Sequence, residues 1–212
     1  MSDVPIITYE QLLDWLRLLD ESLIEHRVEL TELDSAIGDG DHGTNLARGA
    51  AAASAKVDAE KPEYIDELFR TVGMTLISSV GGASGPLYGT FFLRFSLTAG
   101  HRQQLTIGEL SEALSAGCAG VVERSKAELG DKTMIDAMQP AVEMFAGSTG
   151  ELGLKGSARA AAYAAERGRD STADMVARKG RASYLGDRAI GHIDPGAAST
   201  ALMFQALLAA LD

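Results

Sequence analysis

Leu12, Leu16, Leu19 and Leu23 recur at helical spacing with Trp15 beside them, which predicts a helix from about Tyr9 to Leu30. Thr44 to Val57 is alanine-rich and follows a glycine, and it predicts a second helix. Pro62 opens a third, running to about Val80 with Leu68, Val72, Leu76 and Val80 on one face. Leu110, Leu114, Cys118, Val121 and Val122 mark another, entered at Thr106. Met134 to Phe145, Leu154 to Ala177 and Gly196 to Leu211 supply three more. Thr90 to Leu97 is ambiguous, because Phe91, Leu93, Phe95 and Leu97 alternate as in a strand while Phe91, Phe92 and Phe95 also sit at helical offsets. A strand with no partner elsewhere would leave its backbone unsatisfied, so a helix is expected here too. The sum is about eight helices and an all-α fold. Runs such as Ala50 to Ala55 and Ala158 to Ala165 put small side chains on helix faces and predict close packing. Gly147 to Gly156 reads as a helix–helix loop, and residues 1–212 are expected to form one domain.

Charge narrows what such a bundle can bind. Thirty acidic residues against 19 basic ones give a formal charge of -11, which argues against nucleic acid, whose binding rests on clustered Lys and Arg. An acidic protein approaches anionic ligands through metal ions or a local basic patch. Cys118 is the single cysteine, so no intrachain disulfide forms, as suits a reducing cytoplasm; with Gly117 and Gly120 nearby it reads as a small residue at a helix contact. Met1 to Glu10 lacks the basic and apolar regions of a secretory leader, and no apolar run of about 18 residues predicts a membrane span.

Three stretches depart from ordinary loops. In Asp34-Ser-Ala-Ile-Gly38-Asp39-Gly40-Asp41-His42-Gly43-Thr-Asn45, three carboxylates crowd into eight residues and repel one another unless a cation joins them. Hard divalent ions such as Mg²⁺ prefer oxygen ligands, and the glycines let the backbone turn so that the carboxylates converge. The same residues also fit an acidic turn whose Asp41 caps the following helix. Gly38-x-Gly40-x-x-Gly43 matches the dinucleotide fingerprint only formally, since no strand precedes it. An EF-hand fails because Ala50 stands where Glu is required. The second stretch, Ser78 to Gly89, interleaves hydroxyls with glycines at a helix junction; its backbone suits a phosphate, and it equally suits a tight turn. The third, Ala177 to Gly196, is locally basic through Arg178, Lys179, Arg181 and Arg188; it reads as a phosphate clamp or as a solvated loop. Asp194-Pro195-Gly196 would start the last helix, with Asp as N-cap and Pro at the first position. Neither a Walker A ending nor a zinc-type histidine spacing is present; Gly130-Asp131-Lys132-Thr133 misses the former by the inserted Asp131.

Metal ligands, a backbone cradle and a cationic clamp are the recurring parts of phosphoryl-transfer sites. At this point the chain resembles the nucleotide-binding (L) subunit of bacterial dihydroxyacetone kinases. The resemblance runs through Ile37-Gly-Asp-Gly-Asp-His-Gly43, Gly73 to Pro86, Lys126 through Gly130-Asp-Lys-Thr-Met134, and Ala177 to Gly186 through His192 to Asp194-Pro-Gly196. It implies an antiparallel up-and-down barrel of eight amphipathic helices with ADP or ATP held at one end through two Mg²⁺ ions. By resemblance the metal ligands are Asp34, Asp39 and Asp41. The nucleotide contacts are His42, Gly43, Thr44, Asn45, Ala83, Ser84, Ser125, Met134, Arg181, Asp194, Pro195 and Gly196. Ser125 and Met134 would wall the adenine; from spacing alone both look like ordinary helix residues.

The resemblance also implies partners. A K subunit holds dihydroxyacetone covalently through a histidine, and in one branch an M subunit of the phosphoenolpyruvate phosphotransferase system recharges ADP in place. In the other branch K- and L-like domains are fused and ordinary ATP is used. The chain begins at Met1 with the L-like domain and has no K-like part, which favours the separate-subunit branch. No catalytic base is expected on this chain. The alternatives are an L subunit of an ATP-dependent short-ketose kinase, and a nucleotide-sensing module that binds a transcriptional regulator. The expected protein is cytoplasmic, without nucleic-acid or membrane partners, and compatible with a homodimer.

Overall fold

Two threonines each end a short strand and start a helix in the computed structural model, which describes residues 5–212. The first four residues of the stretch read for a leader lie outside the described residues. Thr8 closes β1 (Ile6–Thr8) and opens α1 (Tyr9–Glu25); its hydroxyl accepts from the Gln11 amide while the Gln11 side chain accepts from the Thr8 amide. Thr106 does the same with Glu109 between β2 (Gln104–Thr106) and α6 (Ile107–Ser125). β1 and β2 pair antiparallel, with Ile6 opposite Thr106. Three-residue strands carry too little alternation to show in the sequence, and this ribbon was not expected.

The remaining helices are α2 (Arg27–Ile37), α3 (His42–Glu60), α4 (Ile65–Ser79), α5 (Ser84–Ala99), α7 (Ile135–Ser171) and α8 (Pro195–Leu211). The fold is all-α apart from the ribbon. Thr90 to Leu97 lies within α5, as the helical reading required. The helix expected over Tyr9 to Leu30 extends to Ile37 and bends at His26, where φ is -90° and ψ is 11°. That extension matters, because it puts Asp34 on the last turn of a helix and not in a loop. α7 reverses at Gly153 (φ 65°, ψ -171°), within the stretch expected to be a helix–helix loop. Its two halves, 135–152 and 154–171, lie back to back; a Cβ at Gly168 would fall 2.1 Å from the carbonyl oxygen of Asp136.

Counting α1–α2 as one bent helix and α7 as two gives eight among the described residues, each antiparallel to its neighbour. Contacts run α3 to α4 to α5 to α6 to α7 to α8, and α8 meets α1 and α2, which meet α3, so the ring is closed. The core is aromatic: the Trp15 ring lies 5.7–6.0 Å from those of Phe69, Phe92 and Phe95, Phe69 lies 5.8 Å from Phe92 and 4.2 Å from Phe95, and the Trp15 indole donates to the carbonyl of Met203 at 2.9 Å. Antiparallel order sends alternate connections to opposite ends. Residues 61–64, 100–103 and the ribbon meet at one end, where Ile65 donates to Arg102 and the Tyr9 hydroxyl to Pro62. Residues 38–41, 80–83, 126–134 and 172–194 gather at the other. Among the described residues no helix is long and apolar enough to cross a membrane.

Candidate functional site

The four connections at the second end enclose a cleft of about 430 Å³. Asp34, on the last turn of α2, sets its floor. One of its carboxylate oxygens accepts from the amides of Asp41 at 2.8 Å and His42 at 3.1 Å, satisfying the first turn of α3. Asp41 is the N-cap residue of α3, as the alternative reading of this loop had it, but its side chain makes no capping bond and Asp34 accepts from the amides instead. Gly38 makes room for this carboxylate, since a Cβ there would fall 2.1 Å from Asp34 Oδ1. Gly40 turns the chain with φ of 73°, a conformation open chiefly to glycine.

Asp34, Asp39 and Asp41 each bring a carboxylate oxygen within 4.8 Å of the other two, Asp34 buried and Asp39 exposed. Arg181 reaches across from the 172–194 connection and pairs with Asp39 at 2.9 Å. One guanidinium against three carboxylates leaves the cluster short of positive charge. An all-oxygen donor set of this kind fits Mg²⁺ or another hard cation, and not a thiophilic one.

Beside the carboxylates, His42 is held from both sides. The Ser84 hydroxyl lies 2.9 Å from Nδ1, and Ser199 Oγ lies 2.9 Å from Nε2. Burial pushes the His42 pKa down to about 4, against the opposing pull of Asp34 and the Pro195 carbonyl, so the ring is neutral at physiological pH. Ser199 has one proton to give, and the Gly196 carbonyl at 3.1 Å can only accept. With the Ser199 proton assigned to that carbonyl, Ser199 accepts from His42 Nε2–H and from the Tyr88 hydroxyl at 2.7 Å, and Nδ1 accepts from Ser84. Tyr88 is buried and its pKa is pushed up to about 12, which keeps it a hydroxyl.

The opposite wall begins at the last helix. Asp194 caps α8 by accepting from the Ala197 amide at 2.7 Å, with Pro195 in the first turn, as the sequence predicted. Desolvation lifts its pKa to about 7, with Asp136 adding and Lys132 opposing. Ser125 ends α6, and Met134 precedes α7 with its Cβ 3.3 Å from a Cβ built at Gly196.

Asp34, Asp39, Asp41, His42, Ala83, Ser84, Ser125, Met134, Arg181, Asp194, Pro195 and Gly196 thus line one cleft. Gly43, Thr44 and Asn45 do not. Gly43 packs against α2, where a Cβ would fall 2.2 Å from the Arg27 carbonyl oxygen. Thr44 faces solvent, and Asn45 accepts from Arg48 at 2.8 Å. Gly43 and Thr44 can meet a ligand only through first-turn amides. Sequence reasoning missed Tyr88, Lys132 and Thr133 on the cleft wall and Ser199 behind His42. Tyr88 and Ser199 resemble any other core position, whereas Lys132-Thr133 stood inside a segment already singled out. A second cavity of about 310 Å³ is lined from α1, α3, α4, α5 and α8 and shares Tyr88 with the cleft.

The DAK2 domain family matches residues 36–209, which takes in every residue of the cleft except Asp34. The chain belongs to the DAK2 domain family. It is 46% identical over 198 residues to the ADP-binding subunit DhaL of the PEP-dependent dihydroxyacetone kinase of Escherichia coli (strain K12), covering 93% of this chain and 94% of that one. It is 39% identical over 204 residues to the ADP-binding subunit DhaL of the PTS-dependent enzyme of Lactococcus lactis, covering 96% and 98%. The crystal structure of the dihydroxyacetone kinase from C. freundii in complex with AMP-PNP and Mg²⁺ superposes with a TM-score of 0.72 at 27% identity over 99% of this chain. The chain spans 36% of that kinase. The two DhaL relatives are by name ADP-binding subunits, and the likeness to the solved kinase extends over nearly the whole helical fold of this chain.

Proposed function

We propose that the chain is the ADP-binding subunit of a phosphoenolpyruvate-dependent dihydroxyacetone kinase. In this reading it holds Mg²⁺-bound ADP that a phosphotransferase-system M subunit recharges in place, and the phosphoryl group passes to dihydroxyacetone on a K subunit. The observation that carries it is the convergence of Asp34, Asp39 and Asp41 on one side of a cleft whose other walls are the 80–83 turn and the Asp194 cap. Two Mg²⁺ ions, when bound, would neutralise phosphate charge and fix the terminal phosphate. The chain's own residues would then divide the work. The three aspartates hold the metal, and Arg181, released from Asp39, turns to phosphate oxygens. The free amides at the start of α5, beside Ala83 and Ser84, receive a phosphate, and His42 stays neutral as a fixed spacer between Ser84 and Ser199. Met134 and Ser125 wall the base. No side chain of the cleft is assigned as general base, so the group acting on the sugar hydroxyl belongs to the partner.

Two measurements test this reading. Native mass spectrometry of the purified protein, followed by a chase with labelled ATP, should find stoichiometric ADP that does not exchange. Rapid exchange would instead favour an ATP-dependent short-ketose kinase subunit, and nucleotide-dependent capture of a transcriptional regulator would add a sensing role. Asp39→Ala should abolish Mg²⁺-dependent ADP binding while the helical circular dichroism is unchanged; unaltered affinity would remove Asp39 from the site.

A further inference from the structure

One buried cation on the cleft wall has no task in the nucleotide reading above. Lys132 is only 1% exposed, and its backbone is left-handed with φ of 62°. A non-glycine residue stays in that region only when its surroundings hold it there. Two carboxylates do so: Asp131 accepts from the Glu128 amide at 2.9 Å, and Asp136 accepts from the amides of Gly130 at 2.5 Å and Thr133 at 2.8 Å. The loop so fixed aims the Lys132 ammonium at two backbone carbonyls, those of Thr172 and His192, each 2.5 Å away. Desolvation draws its pKa below the usual lysine range, partly offset by Asp194 and Asp174.

Those two carbonyls stand at the two ends of one excursion of the chain. Residues 173–191 leave the barrel after Thr172 and return before Asp194, carrying Arg181 on the way. Neighbouring bonds close the same neck: Asp194 donates to Thr172 Oγ1 at 2.9 Å, and Gly191 donates to the Ala173 carbonyl at 2.7 Å. Burying an ammonium is costly, and two carbonyl acceptors recover only part of that cost. A methionine-like side chain would fill the space without the penalty, so the charge serves the geometry of the neck.

We propose that Lys132 is a positioning residue of the nucleotide site, whose ammonium draws the Thr172 and His192 carbonyls together and thereby fixes Arg181 and the Asp194–Gly196 turn against the bound nucleotide. The proposal rests on the ADP-binding reading, and its test separates the two. Wild type and Lys132→Met are compared for MgADP affinity by calorimetry and for Mn²⁺ affinity without nucleotide by electron paramagnetic resonance. The rate of tryptic cleavage after Arg178, Lys179, Arg181 and Arg188 is measured without nucleotide, well below the unfolding midpoint. In Lys132→Met the MgADP affinity should fall about 10-fold or more and cleavage should accelerate about 10-fold, with Mn²⁺ affinity within about 2-fold of wild type. Unchanged ADP affinity or unchanged cleavage overturns the clamp. So does Mn²⁺ affinity that falls in parallel with ADP, because that marks general loosening. Wild type that fails to bind MgADP overturns the ADP reading instead, while the cleavage rates still judge the neck. If Lys132→Met does not fold, nitrogen-15 NMR of wild type decides. A slowly exchanging Lys132 ammonium signal coupled to two backbone carbonyl carbons supports the clamp, and a rapidly exchanging, uncoupled one overturns it.

Discussion

Asp194 and His42 face each other's consequences across pH. Asp194 holds its proton up to about 7 when folded, against an ordinary 3.8, so folding takes up a proton between those values. Its stabilising contribution is complete below the lower value and is lost as pH rises through the folded one. His42 runs the other way: its folded value of about 4 lies below the ordinary 6.5, so stability rises with pH across that interval. The two slopes oppose and offset each other where the intervals overlap. Asp194→Asn keeps the cap to Ala197 but removes one slope, so its urea-unfolding stability should climb by roughly 1–3 kcal/mol from pH 4 to pH 6.5. A flat profile in that variant would contradict the His42 assignment. The ring should also be the Nε2–H tautomer, which nitrogen-15 NMR reads directly; two protonated nitrogens at neutral pH would refute the Ser199 network. Gly38→Ala is expected to push Asp34 Oδ1 aside and weaken Mn²⁺ binding about 10-fold, with a stability loss near 1 kcal/mol. Charge spacing made the three aspartates visible in the chain, because carboxylates so close in sequence need a reason. Ser199 and Tyr88 were invisible, since a buried hydroxyl announces itself only through the partner it meets, and Ser199 meets His42 157 positions away.

Helix existence was legible from periodicity, and helix ends were not. The Leu12 to Leu23 stripe predicted its helix, yet nothing in it said that the chain would bend at His26 and continue to Ile37. The reversal in α7 followed from glycine density over 147–156, although Gly150 and Gly147 lie in open space and only Gly153 needs its positive φ. Gly168 carries the other half of that hairpin through its contact with Asp136. Gly168→Ala should therefore cost about 1–3 kcal/mol in urea unfolding, more than a helix-propensity gain could offset. It should also weaken MgADP binding, because Asp136 helps to shape the 126–134 connection through the Gly130 and Thr133 amides. The Thr90 to Leu97 ambiguity resolved toward helix for a physical reason: Phe91, Phe92 and Phe95 all face the Trp15 cluster, which one face of a strand could not arrange. The small ribbon escaped notice because six paired residues carry no period long enough to read.

The closed ring and the cleft connections together predict how ligand binding is felt. The aromatic core is built by the helices themselves, whereas the cleft is built from the four connections between them at one end. Saturating MgADP should thus raise stability by about 2.7 kcal/mol at a hundredfold excess over Kd, with chelation by EDTA returning it to the apo value. Hydrogen exchange should show the gain in residues 38–41, 80–85 and 172–194 and leave α1 and α5 beyond its first turn nearly unchanged; uniform protection would mean that the ring itself was incomplete. The α7 hairpin has a further consequence. Its tip points away from the cleft, and Gly147, Gly150 and Gly153 have no neighbour within 4 Å of where a Cβ would stand. That tip is the natural address for a spectroscopic reporter or a surface tether: a label at Gly150 would leave the phosphate-facing end of the barrel open to whatever docks there.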